Sequence, residues 1–520
     1  MLTVIKKNLI RWVIIAMLLF VLTAFTLPSS TSIQPKIVSN PAEATPAPED
    51  TFIRVAQGHI VSSGKMSRGV AWGDYNDDGK PDLFVANSQG QTNFLYRNDG
   101  DGIFTPVQES EIMQIRSYSE SGNWVDYDSD GDLDLFITNI RNEANFLFRN
   151  DGDDSFTRIT DGEIVSERRS STGSCWADYD ADGDLDVFVA NRNEQHNSFF
   201  SNNGDGNFAK MTDGEIVKNG GDSRACGWAD VDGDADLDLY VGNAHEANFF
   251  YTNNGDGTFT RVTEGSFTND ISYTYGLSWA DVDNDGDIDL FVSNVQDKNI
   301  LYLNNGLGEF ERVVDEPFAT DIGASKGNTW GDFDNDGDVD LFVANGTPDI
   351  SDVTNFLYLN DGEGTFTRSA VGVLTDDNHI SAGTAWVDYN NDGRLDIFVA
   401  NWGNNNQDNA LYTNENGEIG NWIKISLVGY ESNRSSIGAT VRLETIIDAE
   451  TIWQTHQVLG NTGYGSQNEQ IIHFGIGSAT QIKSLEIRWQ SGEVDVYTEL
   501  IANTRYTATE AGDLHLTDSQ

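Results

Sequence analysis

Basic residues are scarce in this 520-residue chain: 31 Lys and Arg stand against 83 Asp and Glu, a formal charge of −52. Nucleic acid is excluded as a partner, because phosphate binding needs a basic footprint that is missing here. Cysteine is nearly absent. Cys175 lies one residue before Trp176 and Cys226 two before Trp228, so strand alternation points them to opposite faces, and they are expected as two small buried side chains rather than a disulfide. Helical periodicity is missing throughout. The seven His residues show no metal or triad spacing, and there is no Gly-x-Ser-x-Gly, catalytic Cys arrangement or phosphate loop. No catalytic residue and no organic cofactor site is therefore singled out; His196 and His245, in related loops, read as solvated.

What the chain has in abundance is one acidic stretch. Asp126-Tyr127-Asp128-Ser129-Asp130-Gly131-Asp132-Leu133-Asp134 returns with small changes at Asp74, Asp178, Asp230, Asp281, Asp332 and Asp388, at spacings of 52, 52, 52, 51, 51 and 56 residues. A period this regular marks a repeat architecture. Within each repeat a strand enters the loop, an almost continuously apolar strand leaves it, a third follows, and an Asn-Asp-Gly-type turn leads to a fourth. Four short antiparallel strands per repeat make one blade of a β-propeller, so the expected fold class is all-β: a seven-bladed β-propeller with a C-terminal small β-domain.

Large aromatics recur at fixed phase. Trp72, Trp124, Trp176, Trp228, Trp279, Trp330 and Trp386 precede the loops, and Phe104, Phe156, Phe208, Phe259, Phe310 and Phe366 open the fourth strands. They are assigned to packing between blades. Phe52-Ile53-Arg54-Val55 matches a fourth strand but precedes the first full repeat, whereas the seventh repeat lacks one. The N-terminal strand is expected to complete the seventh blade and hide its open edge.

Oxygen ligands at positions 1, 3, 5 and 9, with a backbone carbonyl at 7 and Gly at 6, describe a calcium loop. The candidate metal residues are Asp74, Asn76, Asp78, Lys80 and Asp82; Asp126, Asp128, Asp130, Asp132 and Asp134; Asp178, Asp180, Asp182, Asp184 and Asp186; and Asp230, Asp232, Asp234, Asp236 and Asp238. The remaining copies supply Asp281, Asp283, Asp285, Asp287 and Asp289; Asp332, Asp334, Asp336, Asp338 and Asp340; and Asp388, Asn390, Asp392, Arg394 and Asp396. An EF-hand needs Glu at position 12 and a following helix; here position 12 is always Val or Ile inside a strand. Carboxylates and carbonyls without His or Cys favour Ca2+ over zinc or copper, up to seven ions in all. The copies at Asp74 and Asp388 carry one charge less, with Lys80 or Arg394 at position 7, and should bind more weakly. The copy at Asp230 has Ala235 where Gly is expected, a strain that Gly233 just before it is placed to relieve.

At the N-terminus, Lys6, Lys7 and Arg11 precede an apolar run over 12–27, the layout of a secretory signal or an uncleaved anchor. Residues 28–50 read as a flexible Pro-, Ser- and Ala-rich linker. The chain is thus expected to be secreted, periplasmic or at the cell surface, touching a membrane only through a retained anchor.

The pattern Trp-x-Asp-x-Asp-x-Asp-Gly-x-x-Asp-Leu-Phe-Val-x-Asn, then Asn-x-Leu-Tyr-x-Asn-x-Gly-x-Gly-x-Phe, resembles the FG-GAP/VCBS repeat family over 51–420. That resemblance implies a calcium-loaded propeller. After 420 a different pattern runs to about 510, ahead of a short tail at 511–520. Ser432-Asn433-Arg434-Ser435-Ser436-Ile437-Gly438-Ala439, Gly463-Tyr464-Gly465-Ser466-Gln467, His473-Phe474-Gly475-Ile476-Gly477 and Trp489-Gln490-Ser491-Gly492 look like the ASPIC/UnbV domain. Gly465 and Gln490 depart from that pattern, where a larger residue and Pro are usual. As a whole, the chain is similar to the cartilage acidic protein family and its bacterial relatives, for which no biochemical activity is agreed.

Two functions follow as expectations. One is an exported calcium-binding, non-catalytic interaction or adhesion protein that presents loops to an extracellular protein or glycan. The alternative is a carbohydrate-active enzyme of lyase or dehydratase type, because some proteins with similar repeats are such enzymes.

Overall fold

The computed structural model describes residues 52–517 except 205, 348–353, 370–371, 376–378, 404–406, 416–419 and 448. The expected leader over 1–27 and linker over 28–50 lie outside the described residues.

The repeat length translates directly into a unit of sheet. In the second repeat, Ser119–Val125 pairs antiparallel with Asp134–Asn139, placing Trp124 opposite Leu135 and Val125 opposite Asp134. Phe146–Asn150 and Phe156–Ile159 then complete four strands. The same pairing recurs for the innermost strands Ser67–Gly73, Ser171–Ala177, Ser223–Ala229, Ile271–Ala280, Ile322–Gly331 and Ser381–Val387, giving seven four-stranded groups among the described residues. The chain is all-β, with the architecture of a propeller. The second strand of each group is buried on both faces, as its unbroken apolar run requires; Leu83, Phe84, Val85 and Ala86 are all inaccessible to solvent.

Blades pack through the repeated aromatics. Trp124 stacks on Tyr75 of the preceding blade at 5.6 Å, and Trp72 meets Phe398 of the seventh edge-on at 6.2 Å. The ring closes on the N-terminal strand: Phe52 pairs with Asn414, Ile53 with Thr413 and Arg54 with Tyr412. Phe52 seats its ring 5.5 Å from Phe333 and 6.1 Å from Trp386.

One expectation is overturned here. Cys175 and Cys226 form a disulfide, with Cα atoms 6.0 Å apart. The two side chains do sit out of phase, but on strands of neighbouring blades, whose facing surfaces are the front of one sheet and the back of the next. Opposite faces are therefore the ones that meet. Replacing both by Ala is expected to lower stability by about 2–4 kcal/mol, measured by urea denaturation, since the bond closes a loop of sequence separation 51.

Beyond the propeller, two four-stranded sheets enclose a second core that includes Ile423, Val441, Phe474, Ile487 and Trp489. In one of them Asn421–Val428 runs parallel to Thr504–Thr509. Residues 49–520 cluster as one compact unit, and the reason is a loop over 460–468 that enters the propeller axis. Gln467 donates its N–H to Val70 O (2.8 Å) and accepts from Trp72 N (3.2 Å). Its side chain accepts from Trp124 N (2.8 Å) and donates to Trp124 O (3.0 Å). Asn461 donates to Cys226 O, Leu277 N donates to Gly463 O, and Asn468 Oδ1 accepts from Trp386 N. Inner strands from several blades thus grip one loop. Gly465 is required there: its φ is +58°, and a Cβ would press on Ser121 and the Glu120 carbonyl.

Candidate metal centre

Each acidic loop connects an innermost strand to the second strand of its blade, and its own backbone fixes its shape. The N–H of position 6 donates to the position 1 carboxylate in all seven copies, from Gly79 to Asp74 (2.7 Å) through Gly393 to Asp388 (3.0 Å). The N–H of position 7 donates to the position 5 side chain in the same way. Position 9 is anchored from the third strand, where Asn150 N donates to Asp134 Oδ1 at 2.7 Å and Asn98 N to Asp82 Oδ1 at 2.7 Å.

These bonds occupy one set of oxygens and leave another facing inward. Carboxylate oxygens of Asp126, Asp128 and Asp134 lie within 4.8 Å of one another, as do those of Asp178, Asp180 and Asp186. The same holds for Asp230, Asp232 and Asp234, for Asp281, Asp283 and Asp285, and for Asp332, Asp334 and Asp336. Burial pushes Asp82, Asp134 and Asp186 up to about 9, with neighbouring carboxylates adding to the effect and the backbone donors opposing it. Buried carboxylates at this spacing do not ionise together without a cation. The donor set fits one: Oδ1 of Asp126, Asp128, Asp281, Asp283 and Asp334, and Oδ2 of Asp238, Asp340 and Asp396, are buried without a hydrogen-bond partner. These are hard oxygen donors, of the kind that suits Mg2+ or Ca2+.

The loops at Asp74 and Asp388 form no three-carboxylate cluster among the described residues. Their cations are built in. Lys80 Nζ lies 3.0 Å from Asp78 Oδ2, Arg394 pairs with Asp392, and Lys424, 2% exposed, reaches Asp388 Oδ2 at 3.1 Å and Glu469 at 3.4 Å. Elsewhere the position 7 side chains, Asp132, Asp184, Asp236, Asp287 and Asp338, stay outside the clusters. Asp338 instead accepts from Asn284 of the preceding blade at 2.9 Å.

The loop at Asp230 shows how position 6 is tolerated as Ala. In the other loops position 4 also has positive φ, as at Ser129 (59°), Ala181 (54°) and Asn335 (57°); here Gly233 takes that role at 77° while Ala235 stands at 75°. Gly233 therefore eases position 4 only, and the strain at Ala235 remains. Ala235→Gly is expected to stabilise the protein by about 1 kcal/mol in urea denaturation at saturating calcium.

A second repeated residue escaped the sequence reading as a site element. The Asn ending each third strand donates Nδ2 into the loop of the preceding blade: Asn150 to Tyr75 O, Asn202 to Tyr127 O, Asn253 to Tyr179 O and Asn414 to Phe333 O, each at 2.7 Å. Its backbone holds position 9 of its own loop, so every loop is tied to the next. The signal was present as a fixed Asn before the Asp-Gly turn. The Asn ending each second strand serves the turn that follows, as where Asn139 Nδ2 donates to Ala144 O.

The C-terminal sheets lie against this loop face. Asp126 N donates to Ser435 Oγ, Asp230 N to Gln457 Oε1, and Gly477 N to Asn335 O, while Gln490 donates to Asp178 O. Gln490 thus uses an amide that Pro lacks. Arg434 sits beside the Asp126 loop, its charge working against the upward push on that carboxylate. Asn433 is spent locally, bonding Ile437 N and O. His245 is exposed and stacks near Tyr273, and no metal cluster among the described residues contains His196 or His245.

Fold and site together define a propeller with acidic, cation-competent loops in its blades and a β-domain seated on them. The FG-GAP-like repeat model matches residues 74–137, 126–189, 178–241, 230–292, 281–343 and 332–399, and the ASPIC and UnbV model matches 429–514. The chain belongs to the FG-GAP-like repeat family and carries an ASPIC and UnbV domain. It is 23% identical to cartilage acidic protein 1 of Xenopus tropicalis over 484 residues, 83% of this chain and 71% of that protein. The human protein of that name matches at 23% over 49% of this chain and 39% of its own length. Among solved structures, the exotype rhamnogalacturonan lyase YesX superposes with a TM-score of 0.43 at 12% identity, covering 70% of this chain and 76% of that one. A fucose-specific lectin from Aleuria aurantia gives 0.35 at 10%, covering 60% and 97%. Neither score supports an argument about activity.

Proposed function

We propose that this chain is an exported, calcium-loaded, non-catalytic interaction protein, secreted, periplasmic or held at the cell surface, whose propeller presents its uncovered face to a protein or glycan. The observation that carries the calcium reading is the set of buried carboxylate oxygens left without partners in the acidic loops. Calcium suits them better than magnesium because it accepts several protein oxygens in irregular geometry, whereas magnesium holds on to water. The disulfide supports an oxidising compartment. Since the C-terminal domain occupies the loop face, the opposite face is, among the described residues, left for a partner.

Calorimetric titration of EDTA-stripped protein with calcium tests the metal reading. About five tight sites are expected, with the loops at Asp74 and Asp388 weak or silent; absence of calcium uptake would overturn it. A glycan array followed by turnover assays on any hit tests the non-catalytic part, and turnover would replace it with an enzymatic role.

A further inference from the structure

Every innermost strand carries a register shift near its start: between Ser67 and Val70 in the first blade, Ser119 and Ser121 in the second, Ser223 and Ala225 in the fourth, Thr274 and Gly276 in the fifth, and Ser325 and Asn328 in the sixth. A bulge of this kind re-aims the residue it contains. In five of the seven blades the residue so placed, four positions before the repeated Trp, is large and polar or charged: Arg68, Glu120, Arg224, Tyr275 and Lys326. They come from five blades and converge at the axis, on the end of the inner strands opposite the acidic loops. Trp402 of the seventh blade joins them: Arg68 lies 4.1 Å and Lys326 Nζ 3.5 Å from its ring centre, and Lys326 Nζ lies 5.3 Å and Arg224 5.1 Å from that of Tyr275.

In a chain of charge −52 this is a concentration of cations, and its anions are already spent. Glu120 accepts from Tyr464 through one oxygen and from Ser88 at 3.3 Å through the other, which also pairs with Arg68 Nε at 3.9 Å, and the charges of Arg68, Arg192 and Arg224 keep this buried carboxyl ionised. Asp222 pairs with Arg224 NH2 at 2.7 Å. Left over are Nε of Arg68, Arg192 and Arg224 and the indole N–H of Trp402, all buried without an acceptor among the described residues. Lys326, 2% exposed, has no carboxylate at bonding distance among the described residues. Burial and the nearby guanidinium of Arg68 press its ammonium toward the neutral form. Buried donors without acceptors are an unfavourable arrangement unless something supplies the missing oxygens. Tyr464, at the tip of the inserted loop, floors the cluster, whereas Arg192, Tyr275 and Trp402 are half-buried and border solvent.

We propose that the axial mouth on the uncovered face is a binding site for an oxyanion, a carboxylate or sulfate group on a small ligand or on a glycan, held by Arg68, Arg224 and Lys326 with the Trp402 indole as a neutral donor. Guanidinium forks and an ammonium match planar or tetrahedral oxyanions through charge-assisted bonds. The site gives a ligand chemistry to the face assigned above to partners. It rests on that face being uncovered and not on the metal loops.

The test uses calcium-saturated protein. Tryptophan fluorescence is titrated with sodium selenate, galacturonate and galactose at constant ionic strength, and a crystal is soaked in selenate to locate the anion by anomalous scattering. Saturable binding of selenate or galacturonate, absent for galactose, is expected, with an anomalous peak among Arg68, Arg224 and Lys326. Lys326→Met and the milder Trp402→Phe should weaken binding, the former at least about tenfold, while calcium uptake stays unchanged. Response to both anions supports a generic oxyanion site, and response to galacturonate alone supports a sugar acid as the source. Galactose binding as well as galacturonate, or no saturable response and no axial peak in the unaltered protein, overturns the proposal; the soak does not depend on any variant folding.

Discussion

Stripping calcium with EDTA is expected to lower the thermal midpoint by roughly 5–10 °C. An ion at ten times its dissociation constant adds about 1.4 kcal/mol per independent site, so the five three-carboxylate loops together contribute about 7 kcal/mol. Unfolding entropy for a unit of this size is on the order of 1 kcal/mol per degree, which sets the shift. The pH dependence separates this from a nonspecific chelator effect. In the metal-free protein, Asp134 and Asp186 titrate near 9 because they are buried, whereas in the unfolded chain they titrate near the ordinary value of 3.8. Their raised values favour the folded state fully below about pH 4, and that contribution is lost as pH rises toward about 9. Metal-free stability should therefore fall across that window. Calcium requires the ionised form, so the gap between calcium and EDTA melts should widen with pH. A gap that stays constant or narrows would remove the carboxylates from the metal sites.

Gln467→Ala is expected to cost about 2–5 kcal/mol and to release the inserted loop before the blades melt. Gln467 completes Trp124 on both its N–H and its C=O, and truncation leaves both buried and unpaired while also loosening the strand-like contact with Val70 and Trp72. Hydrogen exchange checks it: the amides of 460–468 and of the second-blade inner strand should lose protection together. Gln467→Met, which keeps the length without the polar ends, should behave like Ala if hydrogen bonding holds the loop. If packing alone holds it, Met should restore protection.

The repeated carboxylates and the displaced fourth strand at Phe52 were legible in sequence, because each depends on residues a few positions apart or on one missing unit in a periodic series. The disulfide was not. Alternation within a strand says which face Cys175 and Cys226 occupy, but their meeting depends on how two blades oppose each other. Lys424 as the counter-charge of Asp388 was hidden for the same reason: the pair is joined only after the C-terminal domain docks. The Asn150 type of clasp was visible as a repeated letter, yet its acceptor, Tyr75 O, lies 75 residues upstream. Positive φ at position 4 escaped notice because Asp, Ser, Ala and Asn all occupy it, and no single residue type announces the conformation.

Ring closure has a consequence for how the polypeptide is made. Phe52 must wait for Asn414, more than 360 residues later, before its strand finds a neighbour, and the segment that fills the axis is synthesised later still. During elongation this strand is an unsatisfied edge, a state prone to wrong pairings. Vectorial synthesis thus leaves Phe52–Arg54, the first of the described strands, without its partner until translation nears its end.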